Sequence, residues 1–421
     1  MPNTQYQIMH LAIWTLALIW YLDFGICHSV GNLSLDPFPL LAFFQPSLGP
    51  LLGKEWSMEL NQECTLLQNE LRKFAQQVIL EKADEFDKAC TLPLDNIKQL
   101  ADMGILGAII PEDMGGAALD LIGFVVALEE ISKVCISTAL TIATHNAFFA
   151  YPILKYGNEN LKQKYLPDSA TGRIIGGFSC ADSDEVHAER QGEQYSLNGK
   201  APFVLNCEAN GPFTTFIKGQ ENVITLVVDK DAPGIKRSKN NNIIGLKAAG
   251  IGEITFENCV VQSDTTLGKE NEGVSIMQTT NDFARVCLSA IALGLSQGAT
   301  DEAIKYAKER IQFNQSIINF GMVREKIAEM TTKIEAARLL TYNAAMEYDA
   351  GKNYAKAAAT AKYFAGKAAV EIATEAIQIF GGYGYMKDYP VERYFRDAQV
   401  INVLCRTPAE EKENIVKETI G

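Results

Sequence analysis

From Leu60 through Val78 to Phe86, apolar residues recur at helical intervals, with Leu66, Leu67, Leu71, Phe74 and Val78 on one stripe. This is the spacing of an amphipathic helix packed on one side. Asp95 to Met103 predicts a second, shorter helix closed by Gly104, and Ile110-Pro111-Glu112-Asp113-Met114-Gly115-Gly116 is a turn-rich break. Long helical patterns follow at Leu121 to Ser132 and Thr138 to Tyr156, giving a helical N-terminal region over residues 58–172.

The texture then changes. Gly176 to Ser179, Gln194 to Leu197, Thr214 to Ile217, Val223 to Val228 and Glu253 to Phe256 are short β-branched or alternating segments. Turn signals at Asn198-Gly199, Asp231-Ala232-Pro233-Gly234 and Asn240-Asn241-Asn242 separate them, the pattern of a β-barrel or sandwich domain over residues 173–271. From Glu272 the helical period returns, at Ser289 to Arg310, Met322 to Ala350 and Tyr354 to Phe380, which predicts a bundle of long helices over 272–421. The fold class expected is therefore α+β, with an N-terminal helical domain, a central β domain and a C-terminal four-helix bundle.

Composition narrows the function classes. At 421 residues the chain exceeds the roughly 250–300 residues that one core serves, and its net charge of −13 argues against nucleic acid or anionic membrane surfaces as partners. Nine cysteines lie scattered without a Cys-x-x-Cys pair, as in a protein that keeps its thiols reduced. His10, His28, His145 and His187 lie far apart, so no metal site is expected. Residues 1–57 differ from the rest. Ile8 to Leu22 is strongly apolar but shorter than a spanning helix, and Lys54 is the only basic residue before Met58. An extension translated upstream of the true start, a membrane or partner anchor, and an unusual targeting segment all remain open for this leader; folding is expected to begin at Met58. The expected location is the cytoplasm, or the mitochondrial matrix if the source is eukaryotic.

The chemistry concentrates in Gln378 to Thr407, QIFGGYGYMKDYPVERYFRDAQVINVLCRT. Gly381-Gly382 stops an alanine-rich helix and lets another group approach the backbone. A Gly-Tyr-Gly-Tyr turn follows, and the run from Tyr389 through Arg396-Asp397 reads as a second helix. This segment resembles the C-terminal signature of the acyl-CoA dehydrogenase family of flavoproteins. Supporting matches run in order along residues 58–416. They include Ile110-Pro111-Glu112 with Gly115-Gly116, Leu128-Glu129-Glu130-Ile131-Ser132, Lys164-Tyr165-Leu166-Pro167, Phe256-Glu257-Asn258-Cys259-Val260 and Arg310-Ile311-Gln312-Phe313.

The resemblance implies FAD as cofactor, an acyl-CoA substrate, an electron-transferring flavoprotein as acceptor, and a tetramer of like or related subunits. It assigns Arg310, Gln312, Phe313, Gln378, Gly381, Gly382 and Thr407 to FAD, and Asp282 with Arg285 to the acyl-CoA. In such a family a carboxylate removes the α-proton of the thioester while the flavin takes the β-hydride. Here the position of that catalytic glutamate holds Cys405, and the alternative position used by some members holds Ala284. A thiol suits nucleophilic attack better than carbon deprotonation, which leaves Asp282 as the nearest spare carboxylate. Other flavin-facing positions also depart from the pattern, at Cys180-Ala181-Asp182-Ser183-Asp184, Leu205, Cys207 and Ala248 to Gly252. Glu411 stands where the family has Gln, which would set a negative charge near a pyrophosphate. Two readings follow: an acyl-CoA oxidoreductase with an unusual base, or a non-catalytic paralogue that assembles with an intact subunit.

Overall fold

The computed structural model describes residues 60–421, apart from Ser183, residues 219–221, Asn241, Glu270 and Gly421. The leader of residues 1–57 and its apolar run lie outside the described residues.

Helix α1 (Gln62–Phe74) starts at Asn61, whose side-chain oxygen accepts from the Cys64 N–H at 2.7 Å. It continues through a π-helical stretch, Ala75–Ile79, into α2 (Leu80–Ala89), and α3 covers Leu94–Asp102. Helix α4 (Leu121–Ser132) is buried along its whole length, as its nearly unbroken apolar run requires. Its first-turn N–H groups are satisfied by Asp120 and, from the far end of the chain, by Asp349, which accepts from Leu121 and Ile122 at 2.7 and 3.0 Å. Helix α5 (Ile136–Ala143) runs through a second π-helical stretch, Thr144–Ala150, into α6 (Tyr151–Tyr156). Helix α7 (Glu159–Ala170) completes the first region.

Seven strands follow: β1 (Gly177–Asp182), β2 (Val186–Gln191), β3 (Gln194–Leu205), β4 (Phe213–Lys218), β5 (Val223–Val228), β6 (Ile235–Lys239) and β7 (Gly252–Gln262). Their order is β5-β4-β1-β3-β7-β6, with β2 paired to β3 alone, and β1 runs parallel to β4. The expected barrel does not close, because β5 and β6 end the path at opposite edges. One face buries Ala181, Val204, Phe213, Ile217, Leu226 and Ile254 as a core of its own. On the other face Phe178 stacks against Phe148 of the π-helical stretch, ring centroids 4.3 Å apart, and meets Phe216 edge-on.

The C-terminal region holds α8 (Gly273–Glu309), a hairpin of β8 (Ile311–Gln312) and β9 (Gln315–Ser316), then α9 (Gly321–Asp349), α10 (Ala355–Phe380), α11 (Val391–Val403) and α12 (Pro408–Ile420). A buried carboxylate joins it to the first region. Glu129 of α4 accepts from the Tyr342 hydroxyl at 2.7 Å and from Arg338 at 3.1 Å, both on α9.

The sheet docks on α11 through Gly245-Leu246. The Leu246 N–H donates to buried Asp397 at 2.6 Å, and a Cβ at Gly245 would lie 2.4 Å from the Arg396 carbonyl oxygen. Backbone cannot yield as a flexible side chain can. Gly245→Ala is therefore expected to lower the melting temperature by several degrees, in line with an overpacking penalty of about 1–3 kcal/mol; an unchanged melting curve would show that the loop moves freely.

Candidate functional site

Two places collect the residues singled out in the sequence. The first is a cavity of about 590 Å³ at the end of α8 and α10, lined by Tyr306, Arg310, Gln312, Gly381, Gly382 and Tyr389, among others. Gly381 ends α10 at φ +60°, ψ −134°, a backbone region open essentially to glycine. Nothing lies within 4 Å of where a Cβ would stand on Gly381 or Gly382, so a ligand can approach the bare backbone. The Tyr306 ring stacks on Phe380 at 4.1 Å, and the Arg310 guanidinium sits over Tyr383 at 5.5 Å. An aromatic wall, a planar cation and a stretch of backbone bare of side chains suit a flat heterocycle joined to a diphosphate.

Phe313, Gln378 and Thr407 do not line that cavity. Phe313 is 88% exposed on the β8–β9 hairpin, and it and Asn314 both have positive φ, +50° and +62°. Gln378 is exposed one turn before the glycines. Thr407 caps α12 in a reciprocal box, its N–H and hydroxyl donating to Glu410 at 2.7 and 2.8 Å.

The second place is the turn between α11 and α12, Leu404 to Thr407. Cys405 adopts φ +64°, a left-handed conformation that is uncommon for a residue with a side chain. The residue is exposed, yet so much protein surrounds it that desolvation pushes its thiol up to about 12. Cys180, on the face of β1 turned toward the helices, lies within electrostatic reach of it. Leu205, paired with Phe178 across β1 and β3, is buried and contributes only apolar surface.

The acidic groups near this turn are already engaged. Arg285 donates from Nε to both oxygens of Glu411, at 2.9 and 3.2 Å, and from Nη1 to Asp282. Glu411 is 1% exposed, so its carboxylate is locked inside between α8 and α12. Its negative charge is matched by Arg285 within this chain. Asp282 is raised above the ordinary aspartate range, chiefly by burial, with Arg285 opposing. Ala284, beside them on α8, is fully buried and offers nothing but packing.

Lys362 of α10 was missed by the sequence reading. It is 2% exposed and donates to the carbonyls of Ile401 and Asn402, at 3.0 and 3.2 Å, in the last turn of α11. Its signal was there: it falls on the stripe of Ala358, Ala361 and Ala365, all buried, where a lysine has no business unless partnered. Among the described residues no group of three His, Cys, Asp or Glu could hold a metal ion, and no helix is long and apolar enough to cross a membrane.

Known proteins share this arrangement over nearly the whole described chain. Residues 61–173 match the family model of the acyl-CoA dehydrogenase N-terminal domain, and residues 271–405 match that of the C-terminal domain. An acyl-CoA dehydrogenase of Bacillus subtilis is 35% identical over 377 residues, 86% of this chain and 100% of the relative. The chain belongs to the acyl-CoA dehydrogenase family. Among solved structures, butyryl-CoA dehydrogenase from Megasphaera elsdenii aligns with a TM-score of 0.83 at 28% identity, covering 87% of this chain and 100% of that one. An FAD-dependent dehydrogenase aligns with a TM-score of 0.79, also at 28% identity, over 86% and 99% of the two chains. Helical N-terminal region, central sheet and helical C-terminal region are thus the acyl-CoA dehydrogenase fold, and the family resemblance read from the motifs holds.

Proposed function

We propose that this chain is an FAD-binding acyl-CoA dehydrogenase scaffold whose own turn at 404–407 does not remove the α-proton of an acyl-CoA thioester at the rate of the family. The observation that carries this reading is the charge pairing at the turn. Cys405 offers a thiol in place of a carboxylate, and the nearby carboxylates of Asp282 and Glu411 both face Arg285. A general base must reach the proton it takes, and here both carboxylates are already turned to the guanidinium of Arg285.

The cavity beside Gly381-Gly382 fits the adenosine diphosphate half of FAD. Arg310 and Gln312 would hold it by charge and hydrogen bonding, with the side-chain-free backbone of Gly381-Gly382 leaving room for the phosphates. FAD, when bound, supplies the acceptor for the β-hydride. The Cys405 backbone N–H would still polarise a thioester oxygen. A lost general base is worth roughly 10²- to 10⁴-fold in rate.

The test is direct. Purified full-length protein is expected to be yellow, and anaerobic butyryl-CoA is expected to bleach it slowly or not at all; rapid bleaching, at the rate of ordinary family members, would overturn the reading. Arg310→Ala is expected to lower the flavin retained through desalting about tenfold, the loss of one charge-assisted contact of about 1.5–3 kcal/mol, and undiminished flavin would remove Arg310 from the site.

An exposed apolar surface favours assembly. Ile311, Phe313, Met322 and Tyr385 are 64%, 88%, 75% and 78% exposed around the β8–β9 hairpin and the Gly381–Tyr385 turn. The occupant that suits it is another acyl-CoA dehydrogenase subunit, this chain or an intact relative, in a tetramer. In a mixed assembly this chain would lend its hairpin to a neighbour's flavin, and an electron-transferring flavoprotein would serve the active subunits.

A further inference from the structure

The turn that carries Cys405 is gripped from both sides by buried charge. On one side Lys362 fills the last turn of α11, where unpaired carbonyls and the negative end of the helix dipole favour a cation. The close approach it needs is allowed by Gly366, where an added Cβ would lie 3.0 Å from the Asn402 side-chain oxygen and 3.7 Å from Lys362 Nζ. On the other side Glu411, in the first turn of α12, is held by Arg285. Between the two grips Cys405 keeps a left-handed backbone, which a non-glycine residue retains only where its surroundings impose it.

We propose that Lys362 is the positioning residue of this turn: its ammonium anchors the end of α11 and sets the charge felt at the Cys405 sulfur, with Glu411 as counter-charge. The idea concerns the same turn as the proposed function but stands without it, since it is read on the thiol and not on turnover.

The charged and titratable groups that act on Lys362 are Glu411 from α12, Arg285 from α8 and Cys405 from the turn. Burial brings its ammonium down to about 8. Lys362 is therefore charged below that pH and neutral above it. Among the neighbouring charges that act on the Cys405 thiol, Lys362 comes first and favours the thiolate, while Glu411 opposes it. Arg406, next in the chain, adds a weaker pull in the same direction as Lys362.

The experiment is alkylation of the full-length chain by iodoacetamide, with the Cys405 peptide quantified by mass spectrometry and variants matched for flavin content. Below the Lys362 pKa, wild type is expected to react on the order of tenfold faster than Lys362→Met, as one nearby unit charge allows. The two rates should converge above it. Lys362→Arg, which stays charged, should keep its advantage at high pH, and Glu411→Gln should react faster than wild type throughout. A merely structural lysine would give parallel profiles, and parallel profiles overturn the proposal. Should Lys362→Met melt at the working temperature, Lys362→Arg against wild type decides alone: the proposal requires an inflection in wild type that the arginine variant lacks. Flavin content, measured separately by absorbance, tells failure of this idea from failure of the FAD reading.

Discussion

Cys405→Glu combined with Glu411→Gln is expected to bleach bound flavin with butyryl-CoA at least 10²-fold faster than wild type, and faster than Cys405→Glu alone. The reasoning is electrostatic. Arg285 pairs with Asp282 and Glu411, and Glu411 also acts on Lys362, so a single substitution at 405 would bring a third carboxylate to this turn. Like charges in a desolvated place push one another toward protonation, and a protonated acid is no base. Removing the charge at 411 while adding one at 405 keeps the number of carboxylates at this turn unchanged and leaves one at the position of the family's base. A general base contributes about 10²- to 10⁴-fold, so the double variant should recover a good part of that range. Rapid-mixing absorbance under anaerobic conditions reads the rate. If the double variant, fully loaded with FAD, is no faster than wild type, the missing carboxylate is not what limits this protein.

Glu129→Ala should give the largest loss of stability among single substitutions. The carboxylate is 1% exposed and accepts from Tyr342 and Arg338, with Lys133 at 3.7 Å. Its removal leaves a buried phenol without its acceptor and takes from Arg338 its buried partner, leaving that cation to Glu335 alone. Breaking a buried pair in this way costs about 3–5 kcal/mol, enough to displace the urea midpoint markedly. Because Glu129 belongs to α4 and its partners to α9, the damage should fall on the join between the N-terminal helices and the bundle. A midpoint within error of wild type would mean that water replaces the carboxylate without penalty.

The parts of the fold that were legible in the sequence are those written in local periodicity. Leu121 to Ser132 is a helix with those same ends, and the helices read at Met322 to Ala350 and Tyr354 to Phe380 fall within a residue of those bounds, whereas the one read from Ser289 already begins at Gly273. Strands β2 and β6 went unread because VHAERQ and IKRSK lack apolar alternation; each pairs with a single neighbour and shows most of its residues to solvent. The π-helical stretches went unread as well, since one extra residue in a turn leaves no compositional mark. At the site, the glycine pair and Arg310 could be placed from their motif. The partnership of Arg285 with Glu411 could not, because 126 residues separate them and only folding brings the two helices together.

The β8–β9 hairpin has one more implication. A chain that projects an 88% exposed phenylalanine from a backbone held at positive φ keeps that ring out in water by construction. If neighbouring subunits complete each other's cofactor sites, prosthetic-group occupancy becomes a mass-action quantity. Dilution would then discharge flavin from the protein well before any helix unfolds, and cellular abundance, rather than intrinsic affinity, would decide how much of it is loaded.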